Sequence, residues 1–173
     1  MENAVIADIT PEDAVEVIHW KYEVPYDFYN IRAQAEAMQE FLMNPYYTVR
    51  CEGKLVGIFC IGTSAQVPEG RATGMYVERF IDIGLGMAPK QTGQGRGREF
   101  FQRIVTFLKE TYPNTGVRLS VATFNQRAIK LYESIGFHRV ASFPAADADF
   151  IIMTHPTLLA VDEKNEKEAL PSK

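Results

Sequence analysis

Between Phe80 and Met87 apolar and other positions alternate without a break. Ile81, Ile83, Leu85 and Met87 fall on one face, and Phe80, Asp82, Gly84 and Gly86 on the other. A period of two predicts a strand with one apolar face for a core. Met75–Met87 is accordingly expected as a long central strand, stopped by Pro89, which has no N–H for a ladder. Downstream the period changes: Phe100, Phe101, Ile104, Val105 and Leu108 recur at helical spacing. They predict a helix from about Gly97 to Tyr112, broken at Pro113-Asn114. Gly93, Gly95 and Gly97 stand at alternate positions in the turn between strand and helix.

The flanking pattern supplies the remaining elements. Ala4–Ile9 reads as a short strand. Thr10-Pro11-Glu12-Asp13 then starts a helix that runs to about Trp20, with Thr as N-cap and acids in the first turn. Ile31–Met43 is a second helix, stopped by Asn44-Pro45. Tyr46–Cys51 and Leu55–Gly62 form a hairpin across Glu52-Gly53-Lys54, and Ser64–Thr73 is a polar loop. Val117, Leu119 and Val121 mark a strand that ends at Ala122-Thr123-Phe124. Asn125 as N-cap and Gly136 just past the end bound an amphipathic helix with Ala128, Leu131, Tyr132 and Ile135 on one face. Phe137–Ala141 and Asp149–Thr154 are the last two strands. Beyond Pro156 the chain is charged and weakly hydrophobic, so 1–156 reads as one domain and 157–173 as a charged tail.

Composition narrows the classes. A length of 173 residues suits one domain with a substantial core, and 46% hydrophobic residues is ordinary for a soluble protein. A formal charge of −4 gives no reason to expect nucleic acid as a partner. The N-terminus is polar and no apolar run approaches ~18 residues, so neither a signal peptide nor a membrane span is expected. Cys51 and Cys60 lie in apolar strand-like segments and read as buried thiols in a reducing cytosol, which makes the expected location cytoplasmic. His19, His138 and His155 are scattered, and no metal site is expected.

A glycine-rich strand-to-helix turn collects free backbone N–H groups at a positive helix end, which suits a phosphate or pyrophosphate. The dinucleotide fingerprint would need glycine where Arg98 stands, and the ATP and GTP loop needs Gly-Lys-Ser/Thr, which does not occur. The stretch instead resembles motif A of the GNAT superfamily of N-acetyltransferases: a hydrophobic strand, a proline, then Gln/Arg-x-x-Gly-x-Gly/Ala opening a helix. Gly95 and Gly97 fill the two glycine positions and Gly93 precedes them. Thr92 stands in the leading Gln/Arg place, with Gln91 one residue earlier. Asn125–Phe137 is similar to motif B, Asn-x-x-Ala-x-x-Leu-Tyr-x-x-x-Gly-Phe, at every fixed position. The motifs follow in the family's order, and the resemblance covers Val49 to Thr154.

The resemblance implies an α/β (α+β) fold: a mixed, mostly antiparallel sheet of six or seven strands with helices on both faces. The Phe80 and Val117 strands should be parallel neighbours that splay apart. It implies an acetyl-CoA-dependent N-acetyltransferase working by direct attack in a ternary complex, as monomer or homodimer. The alternative is an acyl-CoA-binding or sensing module without turnover. The donor would be held by backbone groups of Leu85, Gly86 and Met87. Its pyrophosphate would rest on the turn Thr92, Gly93, Gln94, Gly95, Arg96, Gly97 and Arg98, with Asn125 and Ala128 completing the site. Tyr132 takes the position of the family's proton donor to the coenzyme A thiolate, and a backbone N–H near Met87 that of the polariser of the thioester carbonyl.

On the acceptor side the resemblance implies a carboxylate base on the central strand. Asp82 and Glu78 share the parity of Gly84 and Gly86, so each is a candidate for that role or an ordinary structural carboxylate. The aromatic segment containing Trp20, Tyr22, Tyr26 and Tyr29 either covers the core edge or walls an acceptor pocket. With Glu23, Asp27 and the two candidate bases it predicts an acidic, aromatic-lined pocket for a primary amine, on a small molecule or as a protein amino group.

Overall fold

Residues 1 and 3–156 are described by the computed structural model. The elements are β1 (Ala4–Asp8), α1 (Pro11–Ile18), α2 (Gln34–Met43), β2 (Tyr46–Cys51), β3 (Lys54–Ile61), α3 (Pro68–Ala72), β4 (Ile81–Met87), α4 (Gly97–Thr111), β5 (Val117–Ala122), α5 (Gln126–Glu133), β6 (His138–Pro144) and β7 (Asp149–His155). The seven strands form one sheet in the order β1-β2-β3-β4-β5-β7-β6. Every neighbouring pair is antiparallel except β4 and β5, which are parallel and joined through α4. That is the mixed, mostly antiparallel α/β arrangement expected from the two motifs. The charged tail expected over 157–173 lies outside the described residues.

Local chemistry explains most boundaries. Thr10 and Asp13 form a reciprocal capping box with Pro11 in the first turn, which starts α1. Glu52 (φ 51°) and Gly53 (φ 74°) both take the left-handed region, which a two-residue hairpin turn between β2 and β3 requires. α1 and α2 cover one face, packing Ala14, Val17 and Phe41 on Leu55 and Ile58. α4 and α5 cover the other, with Phe101, Ile104, Leu108 and Ile129 packed around Ile83 and Leu119. Gly57 makes the second contact possible: a Cβ there would sit 2.6 Å from the Phe100 ring and from the Gly86 carbonyl oxygen. Its absence lets the start of α4 press against the sheet. No helix among the described residues is long and apolar enough to cross a membrane.

Two expectations need correction. The central strand begins at Ile81, not Met75. Tyr76 explains the shortening, because its hydroxyl meets Val67 N at 3.1 Å and Ser120 Oγ at 2.6 Å, while its carbonyl accepts from Arg118. Those bonds hold it in a loop and away from a ladder. The segment expected as a polar loop forms a 3₁₀ turn over Gly62–Ala65 and then α3, with Pro68 in its first turn.

β4 and β5 pair over only three rungs, Ile81 with Val117, Asp82 with Arg118 and Ile83 with Leu119, and then separate. The middle rung is an ion pair. Arg118 Nε lies 2.5 Å from Asp82 Oδ1 and Nη2 lies 3.0 Å from Oδ2, with both residues buried. Gln66 Nε2 donates to Asp82 Oδ2 at 2.6 Å, and the guanidinium stands 5.0 Å from the Tyr76 ring centre. Removing one partner strands a buried charge, whereas replacing both with apolar groups does not. Arg118→Leu should therefore cost about 3–5 kcal/mol in urea unfolding, and Asp82→Leu combined with Arg118→Leu should regain most of it. A single variant as stable as the parent would show that the pair does not hold the junction.

Candidate active site

The separation of β4 from β5 opens a cavity of about 660 Å³ that reaches both faces of the sheet. Its walls follow from strand alternation. Ala88 N donates to Val56 O in β3 at 2.8 Å, so Gly86 and Gly84 turn their backbone groups toward β3 as well. Leu85 and Met87 then turn theirs toward the gap, where β5 is no longer paired. The Met87 carbonyl accepts from the Tyr22 hydroxyl at 2.8 Å. Gly84 and Gly86 also line the cavity, and Gly84 lies under the 3₁₀ turn, where a Cβ would come 3.5 Å from Ala65 Cα.

One end of the cavity is the turn into α4. Gly93 and Gly95 both have φ +74°, a conformation that side chains with a Cβ rarely adopt, and open space surrounds them. α4 has no side-chain N-cap bond, and its first backbone donor to find a carbonyl is Phe100 N, on Arg96 O at 3.0 Å. The amides before it find no backbone carbonyl among the described residues, and unpaired amides at a positive helix end are of the kind that can hold an anion. Thr92, Gly93, Gly95, Gly97 and Arg98 line the cavity here. Gln94 and Arg96 do not. Gln94 Nε2 donates to Lys90 O at 2.7 Å, and Arg96 Nη1 to Gln91 Oε1 at 2.7 Å, so these two side chains brace the turn.

The middle is set by α5. Asn125 Oδ1 accepts from Ala128 N at 3.2 Å, the N-cap bond that the sequence predicts, and its Nδ2 donates to the Tyr29 hydroxyl at 3.1 Å. Tyr132 lines the cavity with its ring held against Phe101 and Phe137, centroids 5.2 and 6.1 Å away. Its hydroxyl makes no hydrogen bond among the described residues. Burial pushes its phenol well above the ordinary value, with the Tyr29 phenol adding to the shift.

The aromatic segment spans the gap. Tyr22 reaches β4, while Tyr29 and Phe28 pack on Phe124 beyond β5, with centroids 5.9 and 5.3 Å apart. Asn30 pins the loop by bonding both backbone groups of Tyr22, at 2.7 and 3.2 Å. Trp20, Tyr22, Tyr26 and Tyr29 all line the cavity, so the segment both covers core and walls the site.

A third region lies against α1 and α2, where Phe41, Tyr46 and Cys60 join the wall. No local signal marks these residues in the sequence; the β2–β3 register brings Tyr46 opposite Cys60. Arg127, stacked 4.5 Å from the Tyr26 ring centre, was likewise not expected.

The pattern of the acetyltransferase (GNAT) family matches residues 13–137. The chain belongs to the GNAT acetyltransferase family. No curated protein sequence matches it. Solved GNAT structures share the fold at low identity. AAC(6')-Ib in complex with ribostamycin and coenzyme A is 18% identical with a TM-score of 0.69, covering 87% of this chain and 92% of its own. A spermidine N-acetyltransferase chimera of Vibrio cholerae SpeG and hSSAT is 18% identical with a TM-score of 0.66, covering 87% and 93%. yncA of Salmonella typhimurium, solved with its cofactor acetyl-CoA, is 15% identical with a TM-score of 0.57, covering 96% and 99%.

Against this GNAT frame the carboxylates fall elsewhere than expected. Asp82 is buried in its ion pair and does not line the cavity. Glu78 lies outside β4 on an exposed turn, because the strand starts three residues later than its parity requires. Glu23 and Asp27 are exposed and do not line the cavity. In place of the expected acidic pocket, the cavity is aromatic, with no lining carboxylate among the described residues.

Cys60 gives a direct probe of that wall. Burial pushes its thiol up to about 11 from 9.0. The folded state then favours the neutral thiol, so its contribution to stability is complete below pH 9 and is lost as the pH rises toward 11. At pH 8 iodoacetamide should label half-buried Cys51 well before Cys60, by peptide mass spectrometry. Equal rates would mean that Cys60 is open to water.

Proposed function

We propose that the protein transfers the acetyl group of acetyl-coenzyme A to a primary amine by direct attack in a ternary complex. The observation that carries this reading is one continuous cavity that joins a glycine-rich anion cradle, the unpaired inner edge of β4 and the Tyr132 hydroxyl. Similar folds are recorded with coenzyme A and ribostamycin, with acetyl-CoA, and as a spermidine N-acetyltransferase, which supports a small-molecule amine as acceptor.

The cradle fits the coenzyme. The amides from Gly93 to Arg98 take its pyrophosphate, and Leu85 and Met87 offer backbone groups to its extended arm. The coenzyme supplies the acetyl group as a thioester. Tyr132 holds a proton on its phenol oxygen beside the place where thiolate charge develops, and its burial keeps that proton in place. A backbone N–H at the Met87 end points into the gap and stabilises charge on a carbonyl oxygen. Asp82 and Glu78 stand off the wall, so the ammonium acceptor loses its proton to solvent before attack.

Gly95→Val tests the cradle. A β-branched residue at φ +74° is strained even with open space around it, so the turn must rearrange. Coenzyme A affinity by calorimetry should fall by about tenfold or more, an effect of the size of one lost anion contact. Unchanged affinity in the folded variant would remove the pyrophosphate from this turn.

Tyr132→Phe should lower turnover by about 10²-fold while coenzyme A affinity stays the same. Because burial raises the Tyr132 phenol, the parent should show no alkaline loss of activity near pH 10, where a free phenol ionises. Its kcat/KM should instead climb with pH toward the pKa of the amine itself. A plateau in the carboxylate range would reinstate a side-chain base.

A further inference from the structure

The cavity has two arms. The arm toward α4 and α5 carries the glycine turn and Arg98. The arm toward α1 and α2 is what remains for the acceptor, on the reading that the cavity is an acyltransfer site. Its wall is built from Val17, Trp20, Ile31, Phe41 and Ile58, side chains that belong to the α1–α2 hydrophobic cluster. The polar groups added there are the Tyr46 hydroxyl and the Cys60 thiol. Burial raises the pKa of both, so each stays neutral. Glu40 does not line the cavity: its carboxylate lies behind the Tyr46 hydroxyl, with which it interacts by hydrogen bond and charge, and its Oε2 also accepts from Asn44 Nδ2 at 2.9 Å.

Charge along the cavity points the same way. Among the described residues its lining includes Arg98 and Arg127 but neither aspartate nor glutamate. A polyamine or an aminoglycoside carries further ammonium groups beyond the one acetylated. Placed in this arm, each would lose its hydration with no carboxylate to replace it, and an unpaired buried cation is heavily disfavoured. A single amine joined to an apolar ring loses its one charge before attack and leaves only apolar surface to bury. Flat walls of Trp20, Phe41 and Tyr46 suit a ring stacked or edge-on.

We infer that the acceptor is a monoamine on a short linker to an apolar, ring-sized group, bound with the ring in the α1–α2 arm and the amine at the β4–β5 gap. The same chemistry selects against substrates with a second positive charge.

Trp20 is the sole tryptophan of the chain and stands in this wall, so its emission reports occupancy without turnover. The protein saturated with coenzyme A is titrated with 2-phenylethylamine, spermidine and kanamycin. 2-Phenylethylamine should shift the emission with a Kd lower than either by about tenfold or more, the scale set by burying one ring. Spermidine or kanamycin binding equally well or better overturns the inference, and so does a failure of all three to bind. In the last case retained affinity for coenzyme A at the glycine turn would leave the acyltransferase reading standing, and loss of both would remove it too. Ile31→Glu supplies the missing carboxylate from a half-buried loop position. It should move the preference toward spermidine by about tenfold, in line with a newly paired charge. An unchanged ratio in the folded variant counts against the inference.

Discussion

Arg118 and Asp82 face each other at the middle of the three rungs that join β4 to β5, and both are buried. A bidentate guanidinium–carboxylate pair fixes distance and angle together, more tightly than a single backbone bond. Here it locks two parallel strands at one end while their other ends part. The gap is therefore held by chemistry at its apex and not by a spacer within it. Gln66 and the Tyr76 ring complete the pair's surroundings, which ties the loops before β4 to the same point. Without that anchor, two apolar strand edges side by side would be expected to pair along their length.

The rest of the site depends on the gap. Because pairing ends at Ile83, Leu85 and Met87 have backbone groups free of the β5 ladder. The turn into α4 lines the same cavity, through Gly93, Gly95, Gly97 and Arg98. The loop between α1 and α2 is long enough to cross from Met87 on one side to Asn125 on the other, and its aromatic side chains close the far wall. Gly57 matters at a distance: without a side chain it lets Phe100 seat α4 against the sheet. Each of these features is local, and their alignment comes from one junction.

An acidic composition does not make an acidic site. The chain carries 22 Asp and Glu against 18 Lys and Arg, yet among the described residues no acid lines the cavity. Carboxylates near the site in sequence are turned to solvent, as with Glu23 and Asp27, or used to hold strands together, as with Asp82. Burying a carboxylate requires a partner, and the partner available to Asp82 was Arg118, whose own role no local pattern reveals.

What the sequence determined by itself was the set of features whose cause lies within a few residues. Alternation over Phe80–Met87 requires a strand, glycines at positive φ permit the turn, Asn125 caps α5 and Gly136 ends it, each through contacts within about one turn of chain. The two family motifs lie within such segments, which is why the glycine turn before α4 and the helix carrying Tyr132 were legible. The tertiary structure alone decided what depends on residues far apart in the chain. Tyr76 held by Ser120 shortened the strand and took Glu78 off it. Arg118 claimed Asp82 across 36 positions. Register across β2 and β3 put Tyr46 beside Cys60 in a wall that neither residue announces. Side-chain period tells which face a residue takes, but the charge of a pocket is set by which distant partners reach each carboxylate first, and only the folded chain places those partners.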